Sequence, residues 1–568
     1  MSLLSSELTK HALLKKYFGH DEFREGQAEL INSIVCGRDT LGIMPTGAGK
    51  SVCYQIPALM FDGITLVISP LISLMKDQVG SILQSGIAAA FINSSLSYYE
   101  YNETLNDAVN NKYKIIYIAP ERLSTESFIR FATNTNISMI AVDEAHCVSQ
   151  WGQDFRPSYI KITEFIDRLP YRPVISAFTA TATTEVRDDI IHILKLVNPF
   201  TITTGFDRKN LYFEVRHPKS KFPELCNILM KHDQNSGIIY CLTRKNVEEV
   251  CENLNAAGYN ATRYHAGLND YERMKNQDDF IYDRKQIMVA TNAFGMGIDK
   301  SNVSFVIHYS MPKNLENYYQ EAGRAGRDGE KADCILLYNG QDVHTNQYLI
   351  ESTMPNAAIS PQAREEIKNR DRERLKQITY YCNIKTCLRS FILKYFGEKA
   401  PPNCGYCSNC LPTATIKSTF EDIPVFNERQ IDNDLLLLLK RSRKEIADRE
   451  RVTADSILTD AALHEMCNKL PRSIADMSTI SGFSTLKITR YGQTFINVIR
   501  RYTDEMSITS TYENVFMEHG KSWTKNEDLQ LTDEYNDGIN LKDIARIHKR
   551  PVNEIKSRID ELDLEWNF

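Results

Sequence analysis

TLGIMPTGAGKS, residues Thr40 to Ser51, carries a short β-rich apolar run straight into a glycine-spaced turn that ends in Lys50-Ser51, with a helical period after it. A phosphate cradle has this order, because the amides of such a turn and of the following helix start converge on an anion. Lys50 then reaches the β and γ oxygens of a nucleoside triphosphate, Ser51 is placed to ligate Mg²⁺, and Thr46, Gly47 and Gly49 line the cradle. Met44 stands where the simplest form of the pattern has glycine. Outward from this turn, runs of the same short kind recur: TLVIS, IIYIA, MIAVD and VISAF, then GIIYC, IMVAT, FVIHY and CILLY, separated by helical text. That alternation, from Asp39 to Tyr338, predicts parallel sheets with crossover helices. The weakly periodic VNPFTITTGFDRKNLYF, Val197 to Phe213, divides the runs into two α/β lobes of similar size with a cleft between them.

Two further groups belong with the cradle. Asp143-Glu144-Ala-His146 ends the run MIAVD, which puts two carboxylates and a histidine at the C-terminal edge of a strand, where open α/β sheets bind ligands. Asp143 is suited to hold Mg²⁺ and Glu144 to polarise an attacking water. In the second lobe, Gln320-Glu-Ala-Gly-Arg324-Ala-Gly-Arg327-Asp-Gly sets two arginines three residues apart on a glycine-spaced turn. Arginines delivered across a cleft to a γ-phosphate stabilise the charge of its transfer. Lys50, Asp143, Glu144, His146, Arg324 and Arg327 are thus the candidate catalytic set.

Composition bounds what surrounds this machinery. The 568 residues exceed one core of ordinary domain size, so several domains are expected. The chain is 42% hydrophobic and 25% charged, the balance of a folded soluble protein. Sixty-seven basic against 73 acidic residues give a net charge of -6, so any nucleic-acid footprint must be local. No run approaches a membrane span, and the first 19 residues read as an amphipathic helix rather than a secretory segment. A cytoplasmic protein is expected, nucleoid-associated if bacterial, with no membrane partner. The 13 cysteines sit mostly singly in apolar runs, as buried free thiols do in a reducing compartment.

With these motifs in place, the chain resembles superfamily 2 helicases, and specifically the RecQ family of DNA helicases. The ordered set reads Phe23-Arg24-Glu-Gly-Gln27, Met44 to Ser51, Ser69-Pro-Leu-Ile-Ser-Leu-Met-Lys-Asp-Gln78, Ala119-Pro-Glu-Arg122-Leu, Asp143 to His146, Phe178-Thr-Ala-Thr-Ala, Tyr264-His-Ala-Gly-Leu, Ala290 to Asp299 (ATNAFGMGID) and Gln320 to Arg327. The match runs from about residue 10 to residue 410. It implies an ATP- and Mg²⁺-dependent DNA helicase moving 3' to 5' on single strands and unwinding duplex or branched DNA in recombination and repair. It also implies nucleotide contacts from His20, Arg24, Gln27, Asp299 and Gln320, with His20 standing where the family usually has a stacking aromatic. Ser149-Gln-Trp151-Gly-Gln-Asp-Phe155-Arg156-Pro157 resembles the family's aromatic-rich loop, so Trp151, Phe155 and Arg156 are the expected DNA contacts; Gln153 replaces the usual histidine.

Cysteine spacing gives a second site: Cys387, then 16 residues, then Cys404-Gly-Tyr-Cys407-Ser-Asn-Cys410. Four thiolates and no open position make a structural Zn²⁺ site, with Cys382 a bystander. The spacing resembles the RecQ zinc-binding platform, and the segment before it, Pro361 to Ala400, carries ten Lys or Arg against five Asp or Glu. A winged helix commonly follows in the family, yet only a short linker separates Cys410 from Leu435-Leu-Leu-Leu-Leu-Lys-Arg, which resembles the start of a helicase-and-RNase-D C-terminal (HRDC) domain. The winged helix is therefore expected to be missing. The later Ile480 to Gly492 reads as hairpin-like, and Ser522 to Leu564 as three short helices resembling a Myb-like helix-turn-helix with Lys549, Arg550, Lys556 and Arg558 as its cations. Both domains are open to DNA or to protein.

The fold expected is α/β: two tandem RecA-like parallel-sheet lobes, then a helical zinc-binding subdomain and two small all-α domains. Boundaries fall at 1–205 and 206–340 for the lobes, 341–412 for the zinc subdomain, 413–426 for a linker, 427–503 for the HRDC-like domain and 520–568 for the last. Expected partners are single-stranded and branched DNA, with single-strand-binding protein or other repair proteins. Two rivals stand beside this: an RNA helicase of DEAH type, which the aromatic loop and zinc platform oppose, and a DNA-binding scaffold without hydrolysis, which the intact catalytic set opposes.

Overall fold

The computed structural model describes residues 9–70, 72–149, 155–232, 235–294, 300–352, 361–411, 433–450, 452–505, 523–536, 544, 545, 547, 548, 550 and 552–562. They divide into two compact units, 1–423 with 447–461, and 424–446 with 462–568.

The first unit holds two parallel sheets. Strands β1 (Thr40–Ile43), β2 (Ile64–Ile68), β3 (Ala89–Ile92), β4 (Ile115–Ile118), β5 (Ile137–Val142), β6 (Val174–Thr179) and β7 (Phe200–Thr203) form one, in the order β3-β4-β2-β5-β6-β1-β7. Strands β8 (Leu211–Arg216), β9 (Ser236–Tyr240), β10 (Ala261–Tyr264), β11 (Ile287–Ala290), β12 (Val303–His308) and β13 (Ala332–Leu337) form the other, in the order β10-β11-β9-β12-β13-β8. The apolar runs are strands because helices cover both faces, so every residue of β1, β2 and β4 is buried. The sheets change hands between Thr203 and Leu211, inside the weakly periodic stretch.

Register sets the edge where chemistry collects. Ile43 pairs with Thr179 of β6 and Thr203 of β7, and the Met44 amide continues that ladder onto the Thr179 carbonyl at 2.9 Å. The Asp143 amide likewise donates to the Ile68 carbonyl, so the cradle and the acidic pair leave the same edge of one sheet, from the two strands that flank β6. Helices Gly340–Ser352, Pro361–Asn383 and Leu388–Tyr395 follow the second sheet, and the cysteine turn is stitched to it by a bridge between Cys407 and Phe213 of β8.

In the second unit, Leu435, Leu439, Leu463, Met466, Phe495 and Ile499 are fully buried on helical spacing, and Phe483 is buried just before helix Thr485–Glu505. The hairpin expected over Ile480 to Gly492 is not formed. Helix Thr485–Glu505 begins inside it, and Tyr491 and Gly492 are buried on that helix. The glycines suggested a turn, but the i, i+4 and i, i+3 spacing of Ile488, Gly492, Ile496 and Ile499 gives the helix its buried face. Near the C-terminus, helices Lys525–Asn536 and Val552–Glu561 enclose Leu531, Ile544, Ile555 and Ile559. Two of the expected surface cations are used inside this unit. Arg550 is fully buried over the Trp523 ring, 4.4 Å from its centroid, and pairs with Glu527 and Glu554. Arg558 pairs with Asp528 and Glu561.

Candidate active site

The cradle is built as its glycines require. Gly47 and Gly49 take φ of +85° and +81°, conformations a side chain resists, and helix Lys50–Met60 starts directly after them. The Phe23-to-Gln27 segment braces the turn from behind. Gln27 accepts from the Arg24 amide and donates its side-chain amide to the carbonyls of Ala48 and Gly49, both at 3.1 Å. Arg24 donates to the Gly47 carbonyl at 2.5 Å. Lys50 Nζ lies 3.3 Å from the Met44 carbonyl, curled over the turn.

Asp143 is half-buried beside Glu144 and opposite Lys50. Burial and the Glu144 charge push its carboxyl up to about 7, against the pull of Lys50. Glu144 holds φ of +47°, a strained conformation for a non-glycine residue, with its Oε2 3.4 Å from His146 Nδ1. The same His146 nitrogen lies 2.9 Å from the Thr179 hydroxyl, which donates to the Thr181 carbonyl. The histidine thus ties the acidic pair to the Phe178-Thr-Ala-Thr-Ala segment.

One cavity of 330 Å³ gathers these groups: Lys50, Ser51, Asp143 and Glu144 from the first sheet face Gln320, Arg324 and Arg327 from the second. Thr46, Gly47 and Gly49 are in its wall, as expected. Arg324 lies against the Tyr240 hydroxyl. The aromatic in the wall is Phe18 rather than His20, which is half-buried two residues further on. Phe18 sits in the N-terminal helical segment with no motif spacing to mark it. Asp299 and Trp151 lie outside the described residues. Phe155 and Arg156 are half-buried, and Arg156 donates to the Pro70 carbonyl at 2.9 Å, tying the end of the aromatic loop to the Ser69-to-Gln78 motif.

The four cysteines converge. Their sulfurs lie within 4.8 Å of one another, with Cys404 to Cys410 and Cys387 to Cys407 both at 3.9 Å. Zinc–sulfur bonds of about 2.3 Å in a tetrahedron put sulfurs roughly 3.8 Å apart, so the cluster fits Zn²⁺. Burial acts to raise the Cys387 thiol, but hydrogen bonds from Ser390 and its cysteine neighbours outweigh it and bring it to about 6, towards the thiolate a metal needs. Cys382 is buried elsewhere on its helix and is not in the cluster.

Sequence reading missed Arg208, which joins the cradle to the arginine turn. Its fork donates to the Thr46 carbonyl at 2.6 Å and to the Gly326 carbonyl at 2.6 Å.

Comparison with known proteins agrees with this arrangement. Residues 24–190 match the DEAD/DEAH box helicase family, 220–329 the helicase conserved C-terminal domain, 340–411 the RecQ zinc-binding domain and 432–499 the HRDC domain. The chain is 48% identical over 403 residues to a Bacillus subtilis protein named ATP-dependent DNA helicase RecQ, covering 71% of this chain and 67% of that one. It is 33% identical over 600 residues to the Pasteurella multocida protein of the same name, covering 86% and 93%. The solved structure of Mss116p bound to ssRNA and AMP-PNP shares the fold, with a TM-score of 0.50 and 15% identity over 66% of this chain and 86% of that one.

Proposed function

The chain belongs to the RecQ family of ATP-dependent DNA helicases, and from that premise we propose how its own residues run the reaction and in which direction it moves. It hydrolyses ATP and unwinds DNA. The reading of the site rests on one observation, the single cavity that Lys50, Ser51, Asp143 and Glu144 share with Gln320, Arg324 and Arg327.

Lys50 and the amides of the glycine turn hold the β- and γ-phosphates, with Phe18 offering the ring beside the base. The half-buried carboxylate pair faces Lys50, so Ser51 and Asp143 would hold Mg²⁺, which would supply positive charge to offset that of the phosphates. Glu144 orients the attacking water and takes its proton. Arg324 and Arg327 meet the charge that develops on the transferred phosphoryl group, and Gln320 contacts the nucleotide from the same lobe. His146, through Thr179, passes the state of the acidic pair to the neighbouring strand end. Phe155 and Arg156, with the rest of the aromatic loop, meet the single strand, and lobe closure shifts phosphate contacts along it. The lobes divide near residue 205, the zinc subdomain follows to about 412 and the HRDC domain begins near 427. Movement is 3' to 5', on single-stranded and branched DNA in repair, in the cytoplasm, alongside single-strand-binding and other repair proteins.

The test uses the full chain. Lys50→Ala and Glu144→Gln are each expected to abolish hydrolysis while single-strand binding persists; hydrolysis surviving in both would overturn the assignment. Duplexes carrying a single-stranded flank of one polarity decide direction: unwinding is expected on the 3' flank, and preference for the 5' flank would reverse it.

A further inference from the structure

The linker between the lobes carries a residue whose hydrogen bonds span the ATP site. Arg208 sits between β7 and β8, half-buried, and donates to carbonyls of both lobes: Thr46 at 2.6 Å in the cradle, and Gly323 at 3.4 Å, Ala325 at 3.1 Å and Gly326 at 2.6 Å in the arginine turn. Its Nε donates to Asn210, whose amide in turn donates to the Gly326 and Glu330 carbonyls. Among the described residues every one of these bonds ends on a carbonyl or amide oxygen. The planar fork therefore acts as a spacer of fixed geometry between the two backbones. A methyl group on Gly47 would come within 2.9 Å of Arg208 Nη1 and 3.7 Å of Arg327 Cγ, so both arginines pack against the same turn.

The linker itself is gripped from the zinc subdomain. Arg389, two residues after Cys387, donates to the Asp207 carboxylate at 2.7 Å, to the Arg208 carbonyl at 2.5 Å and to the Leu211 carbonyl. The Phe206 amide donates to Glu398 at 2.5 Å, its ring stacks on Phe396 at 4.7 Å, and its carbonyl accepts from Tyr319 at 2.6 Å.

We propose that Arg208 is a positioning residue of the ATPase, fixing the arginine turn against the cradle so that Arg327 reaches the γ-phosphate, with Arg389 of the zinc subdomain holding it in place. This rests on the reading of Arg327 as a γ-phosphate contact. A fork misplaced by about 1 Å can cost roughly 10²-fold in rate, while contacts to the bound ground state change little. Arg208→Lys in the full chain keeps the charge and loses the fork. It is expected to lower kcat for DNA-stimulated hydrolysis by roughly 10²-fold with the KM for ATP within about threefold and the melting temperature unchanged. Because Arg208 acts through Arg327, adding Arg208→Lys to Arg327→Ala should cost nothing more, whereas general damage would multiply. Arg389→Lys should give the same kcat-only signature at smaller size. If Arg208→Lys does not fold, Asn210→Ala removes only the orienting amide and should lower kcat several-fold by the same pattern. Normal kcat in Arg208→Lys beside an inactive Arg327→Ala overturns this proposal alone, as do losses that multiply in the double variant or a loss confined to KM. Full turnover in Arg327→Ala overturns both this and the site reading beneath it.

Discussion

Gln27 shows how far a single residue could be read ahead of the structure. Its place in Phe23-Arg24-Glu-Gly-Gln27 marked it as a nucleotide contact, yet the motif gives no hint that its amide spends both donors on the carbonyls of Ala48 and Gly49. Such bonds join residues more than 20 positions apart and depend on where the turn lies, which spacing does not encode. Arg208 is the stronger case, since its partners come from two lobes and it stands in no catalytic motif of the sequence. Gln27→Glu puts a carboxylate, which cannot donate, against two carbonyl oxygens. Losing two hydrogen bonds at about 1 kcal/mol each, with repulsion added, should raise the KM for ATP by roughly 10- to 100-fold. Single-strand affinity should stay the same, because nothing in this brace faces DNA. An ATP titration of hydrolysis beside a DNA-binding isotherm checks both, and an unchanged KM would mean the brace is dispensable for nucleotide binding.

At the scale of elements, the nine apolar runs read from the sequence all became strands, and the four strands it passed over are β3, β7, β8 and β10. Each lies at the edge of its sheet, where one neighbour and partial exposure relax the demand for apolar residues; β7 alternates half-buried and exposed positions. Periodicity registers burial, so it finds central strands and loses edges. The zinc subdomain was legible for a different reason, because metal geometry writes itself into cysteine spacing. What spacing left out is that Cys387 also caps helix Leu388–Tyr395, its sulfur accepting from the Ser390 amide at 3.4 Å, so one residue both starts the helix that carries Arg389 and closes the thiolate cluster. Closed thiolate sites contribute on the order of 10 kcal/mol in zinc-finger peptides. The purified chain should therefore hold one Zn²⁺, and Cys404→Ser should lose it and melt several degrees lower. Metal analysis with a thermal melt measures both, and zinc-free protein with full stability would refute the structural role.

Across the whole molecule, the order of domains could be read from motifs, but not which charges reach solvent. The 20 residues between the zinc-binding and HRDC matches, 412 to 431, are fewer than the roughly 40 an unaided domain needs, so no winged helix fits there. Duplex contact then falls to other cations, and the sequence offered three groups: the basic helix from Arg364 to Lys376, the cluster Lys440 to Lys444 in the HRDC region, and the segment from Trp523. Composition treats them alike; folding does not. Arg550 and Arg558 are committed to Glu527, Glu554, Asp528, Glu561 and the Trp523 ring, which leaves Lys556 exposed there, whereas Lys444 and Arg490 are both exposed on the HRDC helices. A cation already neutralised by carboxylates releases no counterion on meeting a phosphate. Each phosphate contact adds roughly 0.9 to the log-log salt slope of duplex binding, so the last two groups are separable by titration. A chain ending near residue 515 should bind forked DNA with a slope within about 0.9 of the full chain, at most one contact. A chain ending near Pro424 should keep single-strand-stimulated hydrolysis, bind forks more weakly with a shallower slope, and unwind more slowly. If the chain ending near Pro424 bound and unwound forks as the full chain does, the HRDC region would serve proteins rather than DNA. If the longer fragment alone already lost the slope, the C-terminal helices would be the duplex contact despite their internal ion pairs.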